Sequence, residues 1–143
     1  MSAFEKTNQI KFVKVAEKIK NKTPLDGEEE NLIASVMFQH PEFDPIWEMG
    51  EMCAAPHEIN GEVVNPFVHT ALHLSLEKQI GNNDPEEVVE VFHQLLKDGE
   101  ERHHIIHRIG AIYAAIYFNN FRKGQLFEDG QYIELVRNLI EES

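Results

Sequence analysis

Apolar positions recur along the chain at the period of α-helices, about 3.6 residues. Over residues 4–21, Phe12, Val15, Ala16 and Ile19 share one face and lysines fill the other; Asn21-Lys22-Thr23-Pro24 ends that helix. A second helix is predicted from Asp26, with Glu28, Glu29 and Glu30 at its positive end and Leu32, Ile33, Val36 and Met37 as its buried stripe. Pro41 stops it. A third starts sharply, with Asn65 as cap and Pro66 in the first position, and Gly81 fits a left-handed stop after Ile80. Asp84-Pro85-Glu86-Glu87 opens a fourth, whose apolar residues are Val88, Val91, Phe92, Leu95 and Leu96. Asp98 is expected to open a fifth, with Glu101 as capping-box partner, running to about Arg122. A last helix follows Asp129 and carries Tyr132, Leu135, Val136 and Leu139.

The fifth helix is apolar on two sides. Ile105, Ile109, Ile112 and Ile116 form one stripe, and His103, His107, Gly110, Ala114, Tyr117 and Phe121 form another. Two apolar sides predict burial on both, so residues 99–122 are expected to be the central buried helix. Residues 41–64 are the least regular stretch. Asp44-Pro45-Ile46-Trp47 suits a short helix, and Cys53 to Val64 reads as loop. No alternating strand pattern and no repeat is found. The expectation is an all-α fold: one helical domain over residues 1–143, a bundle of about five or six helices.

Composition narrows the function classes. A chain of 143 residues with 42% apolar content can bury a real core. The 25 acids and 13 bases leave a net charge of −12, which repels phosphate backbones and anionic membrane surfaces. Neither nucleic acid nor membrane is therefore expected as a partner. The single cysteine, Cys53, suits a reducing compartment, and no apolar run approaches the roughly 20 residues that span a bilayer. A cytoplasmic protein is expected. No phosphate loop, nucleophile elbow or zinc-protease motif occurs, so no nucleotide or organic cofactor is implied.

The chemistry lies in histidines. His69 and His73 are four residues apart on the third helix, and His103 and His107 are four apart on the fifth, so each pair shares a face. With short connections the fourth helix returns and the fifth runs parallel to the third, which is expected to put the pairs at one level. Buried imidazoles need compensation, and a divalent transition ion such as zinc, iron or nickel supplies it. The predicted ligands are His69, His73, His103 and His107, with Glu77, one turn after His73, as ligand or second acceptor. His40, at a helix C-terminus, where a cation is welcome, is not included.

Several stretches carry a family resemblance. His40-Pro41-Glu42-Phe43, Asn65-Pro66-Phe67-Val68-His69 with His73 and Glu77, His103 with His107, and Asp129-Gly130 with Tyr132 resemble a bacterial family described as domain of unknown function 1841. The likeness runs from about Pro24 to Leu139. It implies a small bacterial cytoplasmic protein and no particular activity. Where that family tends to have Trp-Glu-Ala-Gln-Arg near the end of the long helix, this chain has Phe118-Asn119-Asn120-Phe121-Arg122, so Asn119 stands in place of a glutamate.

Two function classes follow. The first is a metal-binding helical bundle, with hydrolytic or redox enzymes as its catalytic form. The second is a non-catalytic interaction module with structural histidines, which would meet a protein partner through loop 41–64, where Trp47 and Met49 lie.

Overall fold

The computed structural model describes residues 4–141. Seven α-helices lie among them: α1 (Lys6–Lys20), α2 (Gly27–Phe38), α3 (Asp44–Trp47), α4 (Pro66–Asn82), α5 (Glu86–Lys97), α6 (Arg102–Arg122) and α7 (Asp129–Glu141). The fold is helical, as expected, and the one-turn α3 brings the number above the five or six anticipated. No helix among the described residues is long and apolar enough to cross a membrane. The chain divides into two compact units, Met1–Leu74 and Ser75–Ser143, and the division falls inside α4.

The core of the first unit is built by helical periodicity. Phe12 and Val15 of α1 meet Ile33, Ala34 and Met37 of α2, Phe43, Ile46 and Trp47 of the following turn, and Phe67, Ala71 and Leu74 of α4. Phe12 is the hub: its ring is 5.3 Å from Phe67 and stands edge-on to Trp47 at 6.1 Å. Aromatic pairs in such geometries add about 0.5–1.5 kcal/mol beyond the area they bury.

The stretch expected to be loop is more ordered than its sequence pattern suggested. Short 3-10 turns flank α3, at Pro41–Phe43 and Gly50–Ala54. A two-stranded antiparallel hairpin then follows, β1 (His57–Ile59) and β2 (Glu62–Val64), with His57 opposite Val64. Its turn is Asn60-Gly61, both at positive φ (53° and 86°), which is the pairing a type I′ hairpin demands. The strands are three residues each, too short for alternation to stand out.

In the second unit, Val88, Val91, Phe92 and Leu95 of α5 form an i, i+3, i+4, i+7 stripe. They pack with Leu76, with Ile105, Ile106, Ile109 and Ile116 of α6, and with Tyr132 and Val136 of α7. Tyr132 is buried, and its hydroxyl donates to Gln79 Oε1 at 2.7 Å. The isoleucine stripe of α6 is thus in the core, whereas His107 and Phe121 on its other stripe are exposed.

Two helix ends differ from expectation. The left-handed stop of α4 is Asn83 (φ 52°) rather than Gly81, which stays helical; Asp84 N donates to Gln79 O at 3.1 Å across it. Asparagine tolerates this region better than most residues, because its side chain can bond locally. The fifth expected helix begins at Arg102, not near 99: Gly99 (φ 95°) closes α5, and Glu101 is the N-cap of α6.

The start of α2 carries a pH-sensitive contact. Glu30 accepts from the Asp26 amide at 2.8 Å and from Lys18 Nζ at 2.8 Å. The amide bond first, and then Lys18, hold its carboxyl below the usual carboxylate range. A carboxyl whose pKa is lowered on folding stabilises above its unfolded value, and the contribution fades as pH falls through the folded value. Glu30→Gln is therefore expected to lower the thermal midpoint slightly at neutral pH. Its difference from wild type is expected to close as pH drops below about 4. Midpoints measured from neutral to acid buffer check this, and a difference that stays constant across the range would contradict it.

Candidate metal centre

The site in the first unit begins with the way α4 starts. Asn65 Oδ1 accepts from the Val68 amide at 3.1 Å, satisfying one of the open donors of the first turn. Its amide Nδ2 donates to Ala54 O at 2.7 Å, tying the cap to the preceding 3-10 turn. Pro66 lacks an amide donor that would otherwise need a partner there. The first turn is thereby fixed, and His69 and His73 follow on one face. His73 is buried, with 2% of its surface exposed, and His69 is half-buried.

A third imidazole joins them from the end of α2. Gln39 is the C-cap of that helix, and His40 N donates to Met37 O at 3.0 Å. Pro41 then forces the chain out of helical geometry at His40 (φ −132°, ψ 64°) and into the Pro41–Phe43 turn. This turn aims a buried His40 ring (6% exposed) at α4. His40 Nε2 lies 3.2 Å from His73 Nε2, which lies 3.1 Å from His69 Nε2. Ring centroids are 4.6 Å apart for His40–His69 and 4.8 Å for both His40–His73 and His69–His73. Phe43 stacks on His40 at 5.1 Å and meets His69 edge-on at 5.5 Å, giving the cluster an apolar wall.

Glu42 sets the electrostatics. Burial alone would raise its carboxyl, but its own backbone amide, the hydrogen bond from His40 and the charges of His40 and His69 hold it below the usual range. The ionised carboxylate accepts from His40 Nδ1–H at 3.2 Å. That bond places the proton of a neutral His40 on Nδ1 and leaves Nε2 with a lone pair facing His73. A carboxylate behind an imidazole in this way orients it and raises its basicity as a ligand.

The two Nε2 separations at His73 are of the size an ion imposes on its ligands. Ligands about 2.0–2.1 Å from a tetrahedral zinc-like ion are about 3.3 Å apart along each edge, and the octahedral edge is about 2.9 Å. The two Nε2 separations, 3.1 and 3.2 Å, lie between these values. Hydrogen bonding serves the same contacts less well. A neutral ring nitrogen is either a donor or an acceptor, so His73 Nε2 would have to split one proton between two neighbours or one lone pair between two donors. The ring nitrogens of His40 and His73 are close enough to hold one ion together.

In the second unit, His103 and His107 of α6 are also a pair, with ring centroids 4.3 Å apart and ring nitrogens near enough for one ion. Glu77 has a different environment from the one anticipated. Both its carboxylate oxygens are engaged by Arg102, at 2.7 and 2.5 Å, and the Arg102 guanidinium sits 5.6 Å from the centre of the Phe92 ring. The hydrogen bond from Arg102 to Glu77 raises the guanidinium's pKa further. His104, left aside from sequence, lies 3.5 Å from Glu100.

His40 is the residue that helical spacing could not supply, because it stands outside any i, i+4 pair. The one sequence signal for it was the His40-Pro41-Glu42-Phe43 string, three of whose residues have a place here: His40 in the cluster, Glu42 behind it, Phe43 against it.

A family model described as a domain of unknown function, DUF1841, matches residues 5–138. No curated protein and no solved structure matches the chain.

The cap that positions the cluster can be tested alone. Asn65→Ala removes the bond to Val68 N and leaves Ala54 O without its donor. It is expected to destabilise the protein by about 1–2 kcal/mol in denaturant unfolding. Asn65→Asp keeps the acceptor and loses only the Ala54 contact, so it is expected to fall between. Equal stability of wild type and Asn65→Ala would show that the cap does not set this helix start.

Proposed function

Because the chain belongs to the DUF1841 family, whose description names no activity, we propose its function from the site: binding of a divalent transition ion through an imidazole cluster. The observation that supports this best is His73 Nε2, within 3.1 and 3.2 Å of the Nε2 atoms of His69 and His40. His40, His69 and His73 would be ligands and Glu42 the acceptor behind His40. Neutral imidazoles suit zinc, iron or nickel. Three protein ligands leave coordination positions for water or a substrate, the arrangement that hydrolytic and redox centres share. Because Arg102 holds the Glu77 carboxylate, the ligand set starts from imidazoles. The His103–His107 pair is a separate candidate pair within the second unit. A cytoplasmic setting belongs to the same reading, and the single buried cysteine supports it.

The rival reading, a protein-interaction module, draws on exposed apolar side chains in residues 41–64: Met49, Met52 and Val63 are 51%, 56% and 77% exposed. Metal dependence separates the two.

The experiment uses protein purified without a metal-affinity tag, first analysed for metal and then stripped with chelator. An ion that binds only the folded state at a hundred times its Kd stabilises by about 2.7 kcal/mol. For a chain of this size that raises the thermal midpoint by roughly 5 °C or more. Zinc, iron(II) or nickel is expected to restore what the chelator removes. His40→Ala and His73→Ala are each expected to abolish the response, and His104→Ala to keep it. His107→Ala tests the second pair separately: a full response in that variant would show that the response does not need His107. A wild type that contains no metal as purified and shows no shift with any of these ions would favour the interaction module.

A further inference from the structure

The first unit holds a second feature that the histidine cluster does not use. A cleft of about 750 Å³ runs between α1, the end of α2 and α3. Pockets of about 300–1,000 Å³ are the size that takes small organic ligands. Its walls are apolar: Val13, Ala16 and Ile19 on α1, and Met37, Phe38 and Trp47 opposite. Phe38 is 67% exposed, a large apolar side chain held at the cleft rather than in the core.

The charges at the cleft are unequal. Glu17, Asp44 and Glu48 line it with one cation, Lys20, and Lys20 is paired with Glu48. That leaves Glu17 and Asp44, neither of which has an ion-pair partner among the described residues. Partial desolvation and the nearby Glu42 push the Asp44 carboxyl above its usual range. Apolar walls beside carboxylates without an ion-pair partner suit an amphiphilic cation: the carboxylates supply the opposite charge, and Phe38 and its apolar neighbours take up the body. An anion would meet two carboxylates and no free base.

From this we propose that the cleft binds an amphiphilic organic monocation, with its apolar body against Val13, Ala16, Phe38 and Trp47 and its cationic group toward Glu17 and Asp44. Trp47 is the only tryptophan of the chain, so its emission reports the cleft directly.

The test titrates the intact protein with octyltrimethylammonium and, separately, with octanoate, which has a chain of the same length and the opposite charge. The cation is expected to change Trp47 emission saturably and to bind at least tenfold more tightly than the anion. Glu17→Gln and Asp44→Asn, both at exposed positions, are each expected to weaken the cation about three- to tenfold. Phe38→Ala is expected to weaken it as well, with circular dichroism unchanged. Removing one of 25 acids should not alter diffuse attraction to an acidic protein, so cation affinity unchanged in both carboxylate variants would overturn the proposal. Octanoate binding as tightly as the cation would also overturn it. So would a saturable response to a basic amphipathic peptide with none to octyltrimethylammonium, since the cleft would then be a protein-docking groove.

Discussion

The site in the first unit depends on keeping a ring with two polar nitrogens out of water at His73, which is 2% exposed. Burying a polar group without a partner costs several kcal/mol, a large share of a stability that totals about 5–15 kcal/mol. The surrounding chain is arranged around that cost. Asn65 and Pro66 fix the start of α4 and so the height of His69 and His73, while Pro41 ends α2 at the residue where His40 can turn toward them. Glu42 then fixes which nitrogen of His40 faces inward. These contributions come from helix ends and the short turn between them, and none from the middle of a long helix.

That explains which parts of the site could be read in advance. His69 and His73 were legible because i, i+4 spacing on a helix has a fixed meaning, and the Asn65-Pro66 start made the helix itself unambiguous. His40 was not legible by this route. Its position is decided by how the chain leaves a helix at Pro41, which no periodicity describes. The Glu77–Arg102 pair is separated by 25 residues and lies beyond spacing arguments for the same reason; only tertiary packing brings an arginine to that carboxylate. The His69, His73, His103 and His107 spacing thus reveals side chains that share a face, and says less about what stands opposite them.

The fold was legible to a similar depth. Stripes such as Val88, Val91, Phe92 and Leu95 are core positions in the structure, because a helix with one apolar face must bury it. The reading of α6 as buried on both sides was weaker. An alanine, a glycine or a histidine on a stripe carries little apolar area, so the isoleucine side decides the packing and His107 remains exposed; Phe121, in the last turn, is exposed despite its large ring. The hairpin at residues 57–64 was missed although Asn60-Gly61 carries a strong turn signal. Three-residue strands give alternation too few positions to register, so there the turn residues are more informative than the period.

Net charge alone cannot distinguish the two cation sites proposed in the first unit. A protein with a formal charge of −12 concentrates every cation near its surface, metal ion and organic ammonium alike. Selectivity has to come from what each place offers besides charge. At the histidines it is lone pairs on nitrogen, which a quaternary ammonium cannot engage because it has neither an N–H donor nor an empty coordination position. At the cleft it is apolar wall beside carboxylate, which a hydrated metal ion gains little from because it surrenders its water reluctantly to so few ligands. Acidity therefore sets the sign of what gathers at this protein, and the side chains behind the acids set the kind.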